Sequence, residues 1–165
     1  MNIRHATMND LERIAALEAI AFPEKEAASK ESIEKRVQFF PDCFWLLEDN
    51  QELIGFINGM VTKEADLIDE MYDNPEMHDE KAEWQMIFSV VTAPKHQGNG
   101  YASKMMNQVI ADVKAKKRAG LVLTCKEKLL PFYGSFGFKN EGVSASTHGD
   151  VMWYQMRLDF SKLSG

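Results

Sequence analysis

Apolar residues recur along this chain with two spacings, one near two residues and one near 3.6, and the spacing switches many times. Residues 3–6 form a short strand candidate, and Thr7 with Asp10 three places on has the spacing of a capping box. Leu11, Ile14, Ala15, Leu17, Glu18 and Ala21 then follow at helical spacing, with Pro23 just past the end. A second helix is expected over residues 29–38, with Ile33 and Val37 on one face and Pro41-Asp42 breaking it. Residues 43–48 and 53–61 read as two strands joined by the turn Asp49-Asn50-Gln51, which makes a hairpin. Residues 84–92 are a nearly continuous apolar run, the pattern of a strand buried on both faces. Tyr101, Met105, Val109 and Val113 lie four apart, flanked by Ala102, Met106 and Ile110. They predict an amphipathic helix to about residue 117, with Gly120 as its stop. A strand over 121–125, a short helix over 129–136 ended by Gly137, and strands over 138–143 and 151–158 complete the chain. This order of elements belongs to an α/β class, an α+β mixed sheet covered by helices.

Composition narrows the picture. The 165 residues suit one domain spanning the whole chain, 1–165. The formal charge is −6, but it is concentrated. Between residues 64 and 83 stand nine acids, among them Asp69, Glu70, Asp73 and Glu83, against one base, Lys81. That segment carries −8 and the rest of the chain +2. An acidic chain without clustered Lys and Arg is a poor match for nucleic acid. No apolar run approaches the roughly 18 residues of a membrane span, and the N-terminus is too polar for a signal peptide. Cys43 and Cys125 stand far apart and form no motif, so a reducing, cytoplasmic setting is expected. No Cys/His set has metal-ligand spacing, so no metal is expected.

The chemistry concentrates in residues 90–102, from Val90-Val91-Thr92 through Pro94 to Gln97-Gly98-Asn99-Gly100-Tyr101-Ala102. A buried strand enters a glycine-rich turn, and the turn opens a helix. The free N–H groups of the first helical turn, with the helix dipole, make an anion cradle suited to a phosphate or pyrophosphate. Two common phosphate motifs fail here. No Gly-Lys-Ser/Thr follows four spacers, and no third small residue or downstream acid completes a dinucleotide fingerprint.

Gln97-Gly98-Asn99-Gly100-Tyr101-Ala102 resembles the Q/R-x-x-G-x-G/A turn of the GNAT N-acetyltransferases, and Leu129-Leu130-Pro131-Phe132-Tyr133-Gly134-Ser135-Phe136-Gly137-Phe138 is similar to that family's Y-x-x-x-G-F segment. The two lie about 30 residues apart with a strand between, and the order of elements fits over nearly the whole chain. The second stretch looks closest to the arylalkylamine (serotonin) N-acetyltransferase branch. The resemblance implies a central, mostly antiparallel sheet flanked by helices, acetyl-CoA as co-substrate and a primary amine as acceptor. Carried over by position, the N–H groups of Gly98, Asn99, Gly100, Tyr101 and Ala102 would hold the pyrophosphate, with Gln97 in the same turn. The edge of Val90, Val91 and Thr92 would pair with the pantetheine arm, and an N–H near Val91 would polarise the thioester carbonyl. Tyr133 would protonate the leaving thiolate. Lys95, Lys126 and Lys128 could reach the cofactor's other phosphates, though the expected reading of each is a solvated surface lysine.

The proton acceptor is less defined. Two histidines serve the arylalkylamine branch, and by position those places are Met86 and Phe88 here. The other candidates are Glu70, Asp69, Glu83, His78 and His148, with Glu70 and His148 preferred. The expected activity is acetyl transfer from acetyl-CoA to a small cationic amine by direct attack, with the acidic segment over the acceptor. The alternatives are a non-catalytic acyl-CoA sensor and an enzyme acetylating a protein or peptide amine. An exposed last strand is an expected edge for a homodimer.

Overall fold

The computed structural model describes residues 1–146 and 151–162. The strands are β1 (Asn2–Arg4), β2 (Phe44–Asp49), β3 (Glu52–Thr62), β4 (Trp84–Thr92), β5 (Gly120–Cys125), β6 (Lys139–Val143) and β7 (Tyr154–Asp159). The α-helices are α1 (Leu11–Ala21), α2 (Lys30–Phe39), α3 (Glu70–Asp73), α4 (Tyr101–Ala115) and α5 (Leu130–Gly134). The strands form one mixed sheet in the order β1-β2-β3-β4-β5-β7-β6. Among the described residues only β4 and β5 run parallel; the other pairs are antiparallel. The sheet is flanked by helices, as the alternation of elements predicts. Burial on both faces of β2 over 44–47 and of β3 over 54–62 shows that both sides are covered. On α4 the stripe Met105, Met106, Val109 and Val113 is buried, and α1 packs on α2 and against β3 and β4.

Local chemistry explains the boundaries. Asn50 and Gln51 both take positive φ, 50° and 69°, the twist a two-residue hairpin turn requires between β2 and β3. Ser29 caps α2, its hydroxyl accepting from the Ser32 N–H at 3.1 Å. Three expectations change. Helix α4 ends at Ala115, where Lys117 turns left-handed at φ 60°. Gly120 is instead the first residue of β5, because a Cβ there would lie 2.0 Å from the Leu158 carbonyl oxygen. The last strand, β7, lies between β5 and β6 and so has no free edge; β1 and β6 are the sheet's edges.

One irregularity shapes the middle of the sheet. Along β3 and β4, Asn58 faces Ser89 but the next residue, Gly59, faces Ile87. Phe88 is left without an opposite number, a β-bulge that bends β4 and raises its twist. The parallel register of β4 with β5 ends at the same place, with Ile87 beside Leu123. Gly59 is what lets the two strands close here. A Cβ on it would lie 1.6 Å from the Met86 carbonyl oxygen.

A buried ion cluster ties down the N-terminal elements. The Asp10 carboxylate accepts from Arg4 at 2.7 and 2.9 Å, from Arg13 at 2.6 Å and from the Thr7 N–H at 2.8 Å. Glu48 on β2 accepts from the same arginines at 2.6 and 2.9 Å. Burial pushes the Asp10 carboxyl up, but the hydrogen bonds from Arg4, the Thr7 N–H and Arg13 outweigh it and hold the group below its usual range. The bond from Arg4 does the same for Glu48. A depressed folded-state pKa contributes stability above the ordinary carboxylate range, near pH 4, and loses it as pH falls through that range. Asp10→Asn is therefore expected to cost about 2 kcal/mol at pH 7. The gap from the unsubstituted protein should close as pH falls below about 4. Urea unfolding at both pH values checks this, and an unchanged gap would assign Asp10 to packing alone.

Candidate active site

Where β4 and β5 part, a cavity opens of about 850 Å³. One wall is Ile87, Phe88, Ser89 and Val90 of β4; the facing wall is Leu123, Thr124 and Cys125 of β5 with Lys126 and Tyr133. Helices α1 and α2 and the segment between them close the far side through Glu18, Phe22, Ser29, Ser32 and Arg36.

The β4 edge inside the wedge is open. The Ala93 N–H donates to the Ile54 carbonyl at 2.7 Å, so Ala93 turns toward β3. Antiparallel alternation then turns Val91 toward β3 as well, and leaves the backbone groups of Val90 and Thr92 facing away from it. The Thr92 carbonyl accepts from Gln97 Nε2 at 3.3 Å, which folds the following turn back onto this edge. The turn is anchored from outside. His96 and Lys95 each lie 3.0 Å from Glu52 at the start of β3, and Asn99 Nδ2 donates to the His96 carbonyl at 3.1 Å. Gly98 and Gly100 take φ 83° and 78°. Neither position has a neighbour within 4 Å of where a Cβ would sit, so the glycines serve the backbone conformation and leave open space. Gly100 is the N-cap of α4 and supplies no side chain to the first N–H groups of that helix, at Tyr101 and Ala102.

Tyr133 is buried on α5, its ring edge-on to Phe132 and Phe138. Burial, with the nearby Cys125, pushes its phenol above the ordinary tyrosine range, so it holds its proton at neutral pH. Burial likewise pushes the Cys125 thiol up, to about 11, which keeps it un-ionised.

Of the residues singled out by sequence, Val90, Gln97 and Tyr133 line the cavity, as do Phe88, Lys126 and Lys128. Val91 is buried behind it. Lys126 is held by Glu26 at 2.9 Å, and Lys95 is the residue bound to Glu52. Glu70 is exposed at the start of α3 and is not part of the wall. His148 lies outside the described residues. From the acidic segment only Tyr72 and Asp73 line the cavity. Asp66 is bound to Arg157 at 3.0 Å, and Glu80 to Arg118 at 3.0 Å. The Asp69 carboxylate accepts from Ser146 at 2.5 Å. His78 accepts from the Val61 N–H at 3.1 Å and stacks on Phe40. Burial lowers its pKa, as expected for a neutral ring that supports the fold.

Two buried charged groups of the wall went unmarked by sequence, Glu18 and Arg36, each about 3% exposed. The signal was present. Both stand on an apolar helical stripe, Glu18 after Leu17 and Arg36 between Ile33 and Val37. A charge on the core-facing stripe of a helix is buried and must be matched.

A sheet split by a bulge leaves an open strand edge that runs into a glycine turn at a helix N-terminus, beside a cavity with room for an extended ligand. Residues 9–138 match the acetyltransferase (GNAT) family, and the chain belongs to it. It is an acyl-CoA N-acyltransferase of that family. Among solved structures it is similar to the loading GNATL domain of CurA from Lyngbya majuscula, at 17% identity over 98% of each chain with a TM-score of 0.81. It is also similar to the GphF GNAT-like decarboxylase in complex with isobutyryl-CoA, at 17% identity over 96% of this chain and 99% of that one, TM-score 0.84. A third is the ribosomal-protein-S18-alanine N-acetyltransferase from Escherichia coli, at 15% identity over 96% and 92%, TM-score 0.71. At these identities the likeness establishes the fold. No curated protein matches the sequence significantly.

Gly100→Ala tests the turn. Alanine at positive φ is strained by about 1–2 kcal/mol, so the turn relaxes. Coenzyme A binding, followed by calorimetry, is expected to weaken about fivefold or more while the thermal midpoint changes little. Unaltered affinity would separate the turn from ligand binding.

Proposed function

We propose that the protein transfers the acetyl group of acetyl-CoA to the primary amine of a small molecule by direct attack. The observation that carries this reading is the open β4 edge at Val90 and Thr92, which runs into the turn at Gly98–Gly100 with Tyr133 on the facing wall. The N–H groups from Gly98 to Ala102 hold the pyrophosphate, and the Val90–Thr92 edge pairs with the pantetheine arm. Because alternation turns Val90 away from β3, its N–H is the donor aimed at the oxygen on which charge builds. Tyr133, protonated at neutral pH, donates to the departing thiolate.

The attacking amine must first lose a proton. Of the carboxylates of the cavity wall, Glu26 is held by Lys126, and Glu18 and Asp73 stand closer to this task than Glu70, which lies outside the wall. Met86 is fully buried and Phe88 is apolar, so neither replaces the histidines of the arylalkylamine branch. Aryl amines are therefore one arm of an acceptor panel that includes aliphatic amines, amino acids and peptides with a free α-amine. Acetylation of peptides alone would move the acceptor to a protein N-terminus. Acetyl-CoA binding with no thiol release on any amine would favour a sensor.

Tyr133→Phe keeps the ring and its edge-on contacts and removes only the hydroxyl. Turnover is expected to fall about 10- to 1,000-fold, with acetyl-CoA affinity unchanged. Thiol-release kinetics and calorimetry check the pair of quantities, and unaltered turnover would remove Tyr133 from the chemistry.

A further inference from the structure

The acceptor end of the cavity contains a buried cation whose hydrogen-bond acceptors among the described residues are neutral. Arg36 is 3% exposed and lines the wall beside Phe88 and Ser89. One terminal nitrogen donates to Asn58 Oδ1 at 3.1 Å and the other to the Tyr72 carbonyl at 3.0 Å. Its Nε has no hydrogen-bond partner among the described residues. The guanidinium lies 4.8 Å from the centre of the Phe88 ring and 5.9 Å from that of Tyr72. Asn58 is itself held by a hydrogen bond to Ser89, so the acceptor that orients Arg36 is fixed to the bulge.

This arrangement is costly for the apo protein. An arginine stays charged under all ordinary conditions. Burial disfavours that charge here, and the carboxylates it feels, Glu18 and Asp73, offset the effect only in part. A purely structural tie between α2 and the acidic segment needs a neutral donor, whereas a planar fork with a spare N–H fits a carboxylate.

We propose that Arg36 binds a carboxylate group of the substrate. The inference rests on the acyl-transfer reading and specifies the substrate class within it. The carboxylate has two chemical sources. It belongs either to the acceptor, an α-amino acid, or to the acyl group, a dicarboxylic acid linked to coenzyme A through one end. Phe88 and Ser89 precede the Val90 edge along β4, so the guanidinium lies beyond the thioester in the direction of both.

Binding to the full chain tests this with matched pairs. In one arm, α-amino acids are compared with the amines obtained by decarboxylating them, titrated in the presence of coenzyme A. In the other, malonyl-CoA and succinyl-CoA are compared with acetyl-CoA. One arm is expected to prefer the carboxylate member by about 10- to 100-fold, the range of a hydrogen-bonded ion pair in a buried site. Arg36→Gln should abolish that preference and Arg36→Lys should restore part of it, with acetyl-CoA affinity unchanged in both. Preference below twofold in both arms of the unsubstituted protein overturns the proposal without any variant, and so does a preference that survives Arg36→Gln. Failure of acetyl-CoA itself to bind would instead overturn the acyl-transfer reading.

Discussion

The fit of Gly59 against β4 is the constraint on which the rest of the molecule depends. With no side chain, it lets the backbone of β3 close on Met86 at a distance no other residue permits. The strands meet there out of step by one residue, and Phe88 is bulged out. A bulged strand bends and twists. Here the bend takes β4 away from β5, the only parallel neighbour it has. The cavity, the open edge at Val90 and the approach to the glycine turn all follow from that one departure. A regular ladder of the same length would have paired β4 with β5 throughout and left no room for a ligand between them.

Opening the sheet has a cost in unpaired polar groups, and the fold concentrates that cost where a ligand can relieve it. The Thr92 carbonyl is answered by Gln97. The N–H groups at the start of α4 are left with a glycine cap. Tyr133 is kept protonated by the same dry surroundings that keep the Cys125 thiol un-ionised. One environment thus keeps both the phenol and the thiol protonated, the condition that the proposed direct transfer requires of them.

Much of the fold could be read from the sequence because its signals are local. The run from Trp84 to Thr92 reads as a buried strand from composition alone, and it is β4 to the residue. The α4 stripe and the β2–β3 hairpin follow equally short patterns. The misreadings share a different cause. Gly120 looks like a helix stop, but its role depends on Leu158, which lies far along the chain. The place of β7 inside the sheet depends on β6 folding back over it. The bulge at Phe88 is invisible for the same reason, since register is a property of two strands and not of one. At the site, the glycine turn and Tyr133 were visible as motifs. Glu18 and Arg36 show in the sequence only as charges at apolar helical positions, a pattern that gives the helix geometry but not the electrostatic consequence.

That consequence revises the meaning of the charge distribution. The acidic segment does not present its −8 to the ligand. Arg157 takes Asp66, and Arg118 and Lys116 take Glu80, at distances between 3.0 and 3.4 Å. These bonds use the acids to fasten the segment to β7 and to the end of α4, and only Asp73 reaches the cavity. The field at the acceptor end is then set by two buried groups of opposite sign, Glu18 and Arg36, with Asp73, which is exposed, adding to the negative side. Buried charges act over short distances in a medium that screens them weakly, so their positions outweigh the net charge of the chain. An acceptor that carries only positive charge meets Arg36 as a repulsion, and one that carries only negative charge meets Glu18 and Asp73. The wall is complementary to a ligand that brings both signs to it, and specificity at this end of the cavity comes from where those two signs are held.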